Sequence, residues 1–189
     1  MKKVFDKIIK STAKSRPVLS GVHYTNDRLE LTDSHIAIIE EYKELTNNKF
    51  DFIIGLDGKP KFVNYPDLSR LVPKYNNNKF NINIPLLESI AKLHRKDIGI
   101  ELNLNGQIDG VTVGYFDRIE EFDHITFSPK LIILMIEYLK ESGLKKQATI
   151  YLSNSPVKPA VLEFEETNSV NTFIITPIRT EKDMKWTYK

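Results

Sequence analysis

The sequence contains no cysteine among its 189 residues. This absence excludes disulfide bonds, thiolate metal sites and cysteine catalysis, and it fits a reducing compartment. No apolar run approaches the roughly 20 residues that a membrane helix needs. The charged first residues, MKKVFDK, lack the apolar stretch of a signal peptide. We therefore expect a soluble, cytoplasmic protein.

The sequence also lacks the glycine motifs of several enzyme classes. It has no Gly-x-x-x-x-Gly-Lys, Gly-x-Gly-x-x-Gly or Gly-x-Ser-x-Gly segment, so nothing supports nucleotide hydrolysis or esterase activity. Asp33 and His35, with His23, form the one candidate acid–base or metal cluster, but no further ligand follows at a typical spacing. We expect no enzyme activity, metal or cofactor; a hydrolase using Asp33 and His35 is the weakest alternative.

Net charge is only +2, yet the basic residues concentrate on three predicted helices. Apolar spacing predicts these helices at residues 2–14 and 85–95, and from Pro129, after an N-cap at Ser128, to a stop at Gly143. A shared basic face would suit DNA phosphates, whereas solvated lysine-rich helices give the same pattern, so both interpretations stay open. The candidate DNA-facing residues are Lys3, Lys7, Lys10, Lys14, Lys92, Arg95, Lys96, Lys140, Lys145 and Lys146.

Most of the remaining chain is predicted to be strand. Short apolar segments are separated by turns such as Asn105-Gly106 and Asp109-Gly110. An order of strand, helix and further strands occurs at residues 80–115 and again at 125–165. Three helices among antiparallel strands predict an α+β fold. The polar triplet Asn76-Asn77-Asn78 is the best candidate for a domain boundary.

Two neighbouring segments carry a family resemblance. Residues 16–24 read RPVLSGVHY and residues 28–39 read RLELTDSHIAII. They resemble the Arg-Pro-x-Leu-x-Gly-Val strand and the Thr-Asp-Gly-His-Arg-Leu-Ala turn of the bacterial DNA polymerase III beta subunit, the sliding clamp. In that family the two segments build part of a pocket for partner peptides, which favours binding over catalysis.

Further similarities follow in family order. Residues 65–74, YPDLSRLVPK, resemble the Phe-Pro-Asp-Tyr-x-Arg segment that ends the clamp's second domain. Residues 173–179, FIITPIR, resemble the Tyr-x-x-Met-Pro-x-Arg segment that closes the third. Residues 125–131 and 155–161 resemble, respectively, the start of the last helix and the approach to the strand after it. The chain is thus similar to a shortened clamp, which we expect to be encoded by a phage or other mobile element.

The resemblance implies a clamp architecture of antiparallel sheets with helices on one face. A clamp subunit has three domains, and nothing here matches the first. We expect a reduced, second-domain-like domain at residues 1–75 and a complete, third-domain-like domain at residues 76–180. A C-terminal tail, residues 181–189, extends beyond the usual family end. The chain would then hold about one and a half clamp domains.

The resemblance also implies a peptide-binding groove between those two domains. In the family it receives a glutamine followed by a leucine and an aromatic residue or second leucine. The positions here that match the groove are Leu19, Thr32, Ser34, His35, Ile36, Pro66, Arg70, Leu71, Val157, Pro159, Ile174, Ile175, Thr176, Pro177, Ile178 and Arg179. Aliphatic walls, stiff prolines and a few polar groups suit a peptide anchor. Packing as interdomain core is the alternative, above all for Ile174 and Leu71.

Three groove positions depart from the family pattern. Ser34 replaces a glycine, Ile36 replaces an arginine or other polar residue, and Thr176 replaces a methionine. A side chain at position 34 restricts a backbone that the family turn needs at positive φ. Loss of the methionine removes an adaptable apolar surface. We expect these changes to narrow or alter partner choice.

The functional expectation is a processivity factor for DNA replication. The groove would tether a polymerase or another partner with a clamp-binding motif, and the lysine-bearing helices would face double-stranded DNA without sequence specificity. A clamp ring has six domains, so about four copies of this chain would close one. The alternative is a decoy or adaptor without a ring, which sequesters clamp-binding proteins or inhibits the host clamp.

Overall fold

A computed structural model describes residues 2–12, 16–45, 49–72, 78–103, 105–116, 124–153 and 155–181. The chain divides into two compact units. Unit 1 comprises residues 1–72 and 163–174, and unit 2 comprises residues 73–162 and 175–189. Within the described ranges, no helix is long and apolar enough to cross a membrane.

Three α-helices and fourteen strands follow one another along the described chain. They are α1 (Lys3–Ser11), β1 (Gly21–Thr25), β2 (Arg28–Thr32), β3 (Ile36–Tyr42), β4 (Asp51–Gly55), β5 (Pro60–Lys61), β6 (Asn78–Asn83), α2 (Ile84–Leu93), β7 (Ile100–Asn103), β8 (Gln107–Ile108), β9 (Val111–Thr112), β10 (Gly114–Phe116), β11 (His124–Phe127), α3 (Pro129–Glu141), β12 (Gln147–Leu152), β13 (Ala160–Glu165) and β14 (Ser169–Ile175). Short 3₁₀ helices lie at Pro17–Leu19 and Leu68–Leu71.

Unit 1 packs one α-helix on antiparallel strands. Its strands lie in the order β14, β3, β2, β1, β4 and β5. Helix α1 buries Val4, Phe5, Ile8 and Ile9 and contacts β1 and β2. The spacing of these four residues places them on one face of the helix, so the opposite face is left to lysines.

Unit 2 combines antiparallel strands with the other two described α-helices. Strands β10, β6, β12 and β13 are neighbours, β11 pairs with β7, and β8 pairs with β9. Helices α2 and α3 contact each other. Helix α3 buries Ile132, Met135, Ile136 and Leu139, which lie on one face of the helix at the spacing of an amphipathic pattern. The antiparallel pairing and the helices confirm the α+β class.

The chain passes from unit 2 to unit 1 and back again near the C-terminus. Strands β13 and β14 each contribute residues to both units, and residues 163–174 belong to unit 1. The sequence analysis assigned this segment to a domain at residues 76–180. The assignments differ because β14 is the neighbour of β3, a long-range pairing that local sequence does not reveal. The tail at residues 182–189 lies outside the described residues.

The helix boundaries match the predictions unevenly. Helix α3 begins at Pro129 and is followed by Gly143 at φ +90°, as predicted, although Ser128 makes no side-chain capping bond. Helix α2 begins at Ile84, capped by the Asn83 side chain, which accepts from Leu86 N–H at 3.1 Å. Helix α1 ends at Ser11, three residues before its predicted end.

Candidate functional site

The loop between β2 and β3 in unit 1 carries four of the predicted groove residues. Asp33 Oδ1 accepts hydrogen bonds from the N–H groups of His35 and Ile36, both at 2.9 Å. The Thr32 hydroxyl donates to the Ile36 carbonyl at 2.6 Å and accepts from Ser34 N–H at 3.0 Å. This 32–36 loop is therefore a tight turn stabilised by its own hydrogen bonds, and Ser34 and His35 are exposed on it.

Ser34 occupies a left-handed backbone conformation, with φ of +83°. Non-glycine residues pay a strain energy there because Cβ crowds the backbone. The Arg16 guanidinium contacts the Ser34 hydroxyl. Position 34 therefore has the positive φ that the family turn was expected to need. In this chain a serine, rather than a glycine, adopts it.

Replacing Ser34 by glycine is expected to raise the free energy of unfolding by about 1 kcal/mol, because the strain is released. Urea unfolding measures the change. Ser34→Ala is the matched control, since it also removes the hydroxyl but retains the Cβ, and we expect it to give no gain. Equal stability of the glycine and alanine variants would contradict the strain argument.

Asp33, His35 and His23 do not form one cluster. Both oxygens of Asp33 are engaged: Oδ1 accepts the two backbone bonds within the turn, and Oδ2 accepts from the hydroxyl of Ser11 on α1 at 2.7 Å. His23 instead contacts Glu30 and Asp51. The described ranges contain no group of three histidine or acidic side chains suited to a metal ion. Asp33 is thus used structurally, as a hydrogen-bond acceptor for the 32–36 loop and for Ser11.

The segment at residues 65–71 is mostly exposed, but it contains one buried side chain, that of Leu68. Asp67 caps the 3₁₀ helix by accepting from Ser69 N–H at 3.1 Å, and Leu68 is buried. The hydrogen bond from the Ser69 hydroxyl is the largest of the effects that hold the pKa of the Asp67 carboxyl below its ordinary value. Pro66 and Arg70 are exposed, and Leu71 is 50% exposed. This segment therefore offers an apolar side chain beside a cation.

Several predicted groove residues are buried. Leu19, Thr32, Ile36 and Ile174 in unit 1 are all buried. Ile175 in unit 2 is also buried. Together with Phe80, Leu87 and seven further residues it lines a small apolar cavity. Ile174 is thus buried, whereas Leu71 is half exposed.

The remaining predicted groove residues lie in unit 2. Val157, Pro159, Thr176, Pro177 and Ile178 are half-buried, and Arg179 is exposed. Ile178 N–H donates to the Thr126 carbonyl at 2.7 Å, which fixes residues 176–179 beside β11. These residues thus form a second partly exposed apolar set on an ordered stretch of backbone.

The predicted DNA-facing residues are mostly exposed. Lys3, Lys7 and Lys10 lie on the solvent side of α1, opposite its buried face. In unit 2, Lys92, Arg95, Lys96, Lys145 and Lys146 are exposed, and Lys140 is half-buried. Lys14 lies outside the described residues. Exposed cations therefore lie on α1, on α2 and just beyond the C-terminal ends of α2 and α3.

Glu88 joins two of these lysines. Its carboxylate accepts from Lys140 on α3 and from Lys92 on α2 at 2.8 Å. Those two hydrogen bonds, Lys140 first, hold the pKa of Glu88 below its ordinary value. Part of the positive charge of Lys92 and Lys140 is therefore neutralised within unit 2.

Replacing Glu88 by glutamine is expected to lower the free energy of unfolding by up to about 1 kcal/mol at neutral pH, since the ion pairs with the half-buried Lys140 and the exposed Lys92 are lost. Because folding lowers this pKa, the contribution is present above the ordinary value of 4.5 and is lost as pH falls below it. Urea unfolding at a series of pH values should show the gap between wild type and variant closing in acid. Glu44→Gln, at an exposed position, should show no gap at any pH.

Two residues of this region, Tyr65 and His23, were not among the predicted groove residues. Tyr65 lies against His23, with ring centroids 4.7 Å apart, and its hydroxyl accepts from Thr32 N–H at 3.1 Å. The available signal was a tyrosine where the family motif has phenylalanine. The His23 environment gave no local signal, because its carboxylate partners come from other strands.

Comparisons with solved structures agree with the clamp resemblance. The DNA polymerase III beta chain of Streptococcus pneumoniae is 22% identical, with a TM-score of 0.68 over 95% of this chain and 63% of its own. The Pseudomonas aeruginosa beta subunit is 14% identical, with a TM-score of 0.72 over 94% of this chain and 64% of its own.

A third similar structure is the Helicobacter pylori beta clamp bound to a DNA ligase peptide. It is 17% identical, with a TM-score of 0.72 over 94% of this chain and 62% of its own. No protein-family model and no curated protein matches the sequence. The chain therefore has the fold of the bacterial DNA polymerase III beta subunit and spans about 63% of its length.

Proposed function

We propose that this chain is a clamp-like, non-catalytic processivity factor of DNA replication that acts in the cytoplasm. It holds a polymerase or other replication protein by a short peptide containing glutamine, leucine and an aromatic residue. The observation that carries the proposal is the exposed Pro66, Arg70 and Leu71 surface of unit 1, in a chain with the clamp fold.

The chemistry of this surface suits such a peptide. Leu71 is a half-exposed apolar anchor, Pro66 is a rigid rim, and the Arg70 guanidinium lies 3.2 Å from Asp67 by its Nε atom. Buried apolar anchors surrounded by polar groups carry most of the binding energy at such interfaces. The Helicobacter pylori structure contains a DNA ligase peptide, which supports a peptide as the ligand class.

Peptide binding is the direct test. A fluorescein-labelled peptide with Gln-Leu-Phe at its centre is titrated with the full chain, and anisotropy is measured. We expect saturable binding that an unlabelled copy competes away. A peptide with alanine at the glutamine and leucine positions is the matched control, and equal binding of both peptides would overturn the proposal.

Ring formation is the less direct part of the proposal. The chain spans about 63% of the length of the structures it resembles, so a six-domain ring needs several copies. Light scattering after size exclusion measures the mass. A mass near four copies supports the ring, whereas a stable monomer that still binds the peptide favours the second candidate, a decoy or adaptor for clamp-binding proteins. A phage origin stays a prediction.

A further inference from the structure

Tyr65 joins the two parts of the proposed peptide site in unit 1. It directly precedes Pro66, and its hydroxyl accepts a hydrogen bond from the N–H of Thr32, the first residue of the 32–36 loop. Residues 32 and 65 are far apart in sequence, so this bond is a long-range connection. It ties the exposed 65–71 segment to the loop that carries Ser34 and His35.

The bond occupies a position where the strand ladder has ended. Strands β1 and β2 pair through His23↔Glu30 and Tyr24↔Leu29. Continuing that register would place Thr32 opposite Gly21, beyond these pairs. A buried backbone N–H needs a partner, and Tyr65 supplies it from outside the sheet. Burial raises the pKa of the Tyr65 hydroxyl, so it stays neutral.

His23 holds the ring of Tyr65 from the other side. The two rings stack with an interplanar angle of 22°. The imidazole is itself fixed at both nitrogens, because Nδ1 lies 2.9 Å from Glu30 Oε1 and Nε2 lies 2.8 Å from Asp51 Oδ1. His23 is 6% exposed and Glu30 is 1% exposed. The support beneath Tyr65 is thus buried and polar.

Arg28 extends this network to the far side of the same segment. Its guanidinium lies 3.4 Å from Glu30 by Nε and 3.7 Å from Asp67 by Nη2. Asp67 caps the 3₁₀ helix that ends at Leu71. Contacts on both sides of Pro66 therefore lead to the same buried Glu30, which makes the segment a held element rather than a free loop.

We propose that Tyr65 is a positioning residue for peptide recognition: stacked on His23, it sets Pro66 and Leu71 relative to the 32–36 loop. The inference rests on the proposed peptide function and adds a residue that contacts no peptide. It also gives the tyrosine hydroxyl a purpose, because phenylalanine, the residue of the family motif, would retain the stack but lose the bond to Thr32.

The test is Tyr65→Phe in the full chain, with Tyr115→Phe as a matched control on the exposed strand β10 of unit 2. Two quantities are measured: the Kd of the labelled Gln-Leu-Phe peptide and the amide hydrogen-exchange rate of Thr32. We expect Tyr65→Phe to raise Kd about fivefold and to speed Thr32 exchange about fivefold, the effect of one lost hydrogen bond. Tyr115→Phe should change neither.

The outcomes separate this inference from the function on which it rests. Faster Thr32 exchange with an unchanged Kd overturns the positioning role and leaves the bond purely structural. If both quantities are unchanged, the connection itself is overturned. If the wild type binds no peptide, the proposed function fails and with it the role in recognition, whereas faster Thr32 exchange would still support the connection between loop and segment.

Discussion

Replacing Leu71 by aspartate is expected to weaken binding of the Gln-Leu-Phe peptide at least thirtyfold. In the proposed function Leu71 is the apolar anchor of the unit 1 surface, and truncating such an anchor costs about 2 kcal/mol or more, a factor of about thirty in Kd. Aspartate adds the cost of desolvating a charge against the peptide. Fluorescence anisotropy measures Kd.

The fold should survive this change, because Leu71 is already half exposed and lies at the end of a short 3₁₀ helix. Urea unfolding should show a loss of no more than about 1 kcal/mol. This separates Leu71 from Leu19, another groove residue of unit 1, which is buried. Aspartate at position 19 would unfold the chain before it reported on binding.

Leu93→Asp is the matched control for this experiment. Leu93 is 81% exposed at the end of α2 in unit 2, and it undergoes the same chemical change outside unit 1, which carries the proposed surface. We expect its Kd to equal that of the wild type. Equal weakening by both variants would attribute the effect to charge alone, and unchanged binding by Leu71→Asp would remove residues 65–71 from the site.

The sequence predicted the fold well where local chemistry sets the element. Ser128, Pro129 and Gly143 delimit α3, because a proline suits the first helical turn and a glycine accepts the left-handed conformation after the last. The predicted end of α1 was wrong because side-chain hydroxyls compete with backbone N–H groups for the helix carbonyls. The hydroxyls of Ser11 and Thr12 both donate to the Ile8 carbonyl, at 2.7 and 3.2 Å.

The segments of the candidate site follow from the family resemblance, but the exposure of their individual residues does not follow from local sequence. The family resemblance indicated residues 32–36 and 65–71. Ile36 and Leu71 are both apolar, yet Ile36 is buried at the start of β3 and Leu71 is half exposed at the end of a 3₁₀ helix. The His23 contacts depend on the register of β1 against β2 and β4. Such pairings are long-range, so local sequence carries no signal for them.

Charge reversal at Arg95, Lys96, Lys145 and Lys146 to glutamate is expected to abolish most DNA binding. All four residues are exposed just beyond the ends of α2 and α3, whereas Lys92 and Lys140 share Glu88. Each phosphate contact contributes about 0.9 to the slope of log affinity against log salt. Loss of all four should reduce that slope by about three to four, as measured by titrating duplex DNA at several salt concentrations.

The matched control reverses the exposed residues Lys49, Lys59, Lys61 and Lys158, which gives the same change in net charge at positions that do not belong to α2, α3 or the segments directly after them. We expect only a small fall in affinity and little change in slope. If both quadruple variants lose binding equally, DNA responds to overall charge and the helix faces have no special role.

Retention on circular DNA then distinguishes a ring from a surface contact. A closed ring should stay on circular duplex at a salt concentration that screens phosphate contacts, and it should leave once the DNA is cut, because topological hold needs no attraction. Release from circular and linear DNA at the same salt concentration would exclude the ring. If the peptide still bound, the unit 1 surface would serve a decoy or adaptor, because recognition of a peptide by residues 65–71 does not require the chain to encircle DNA.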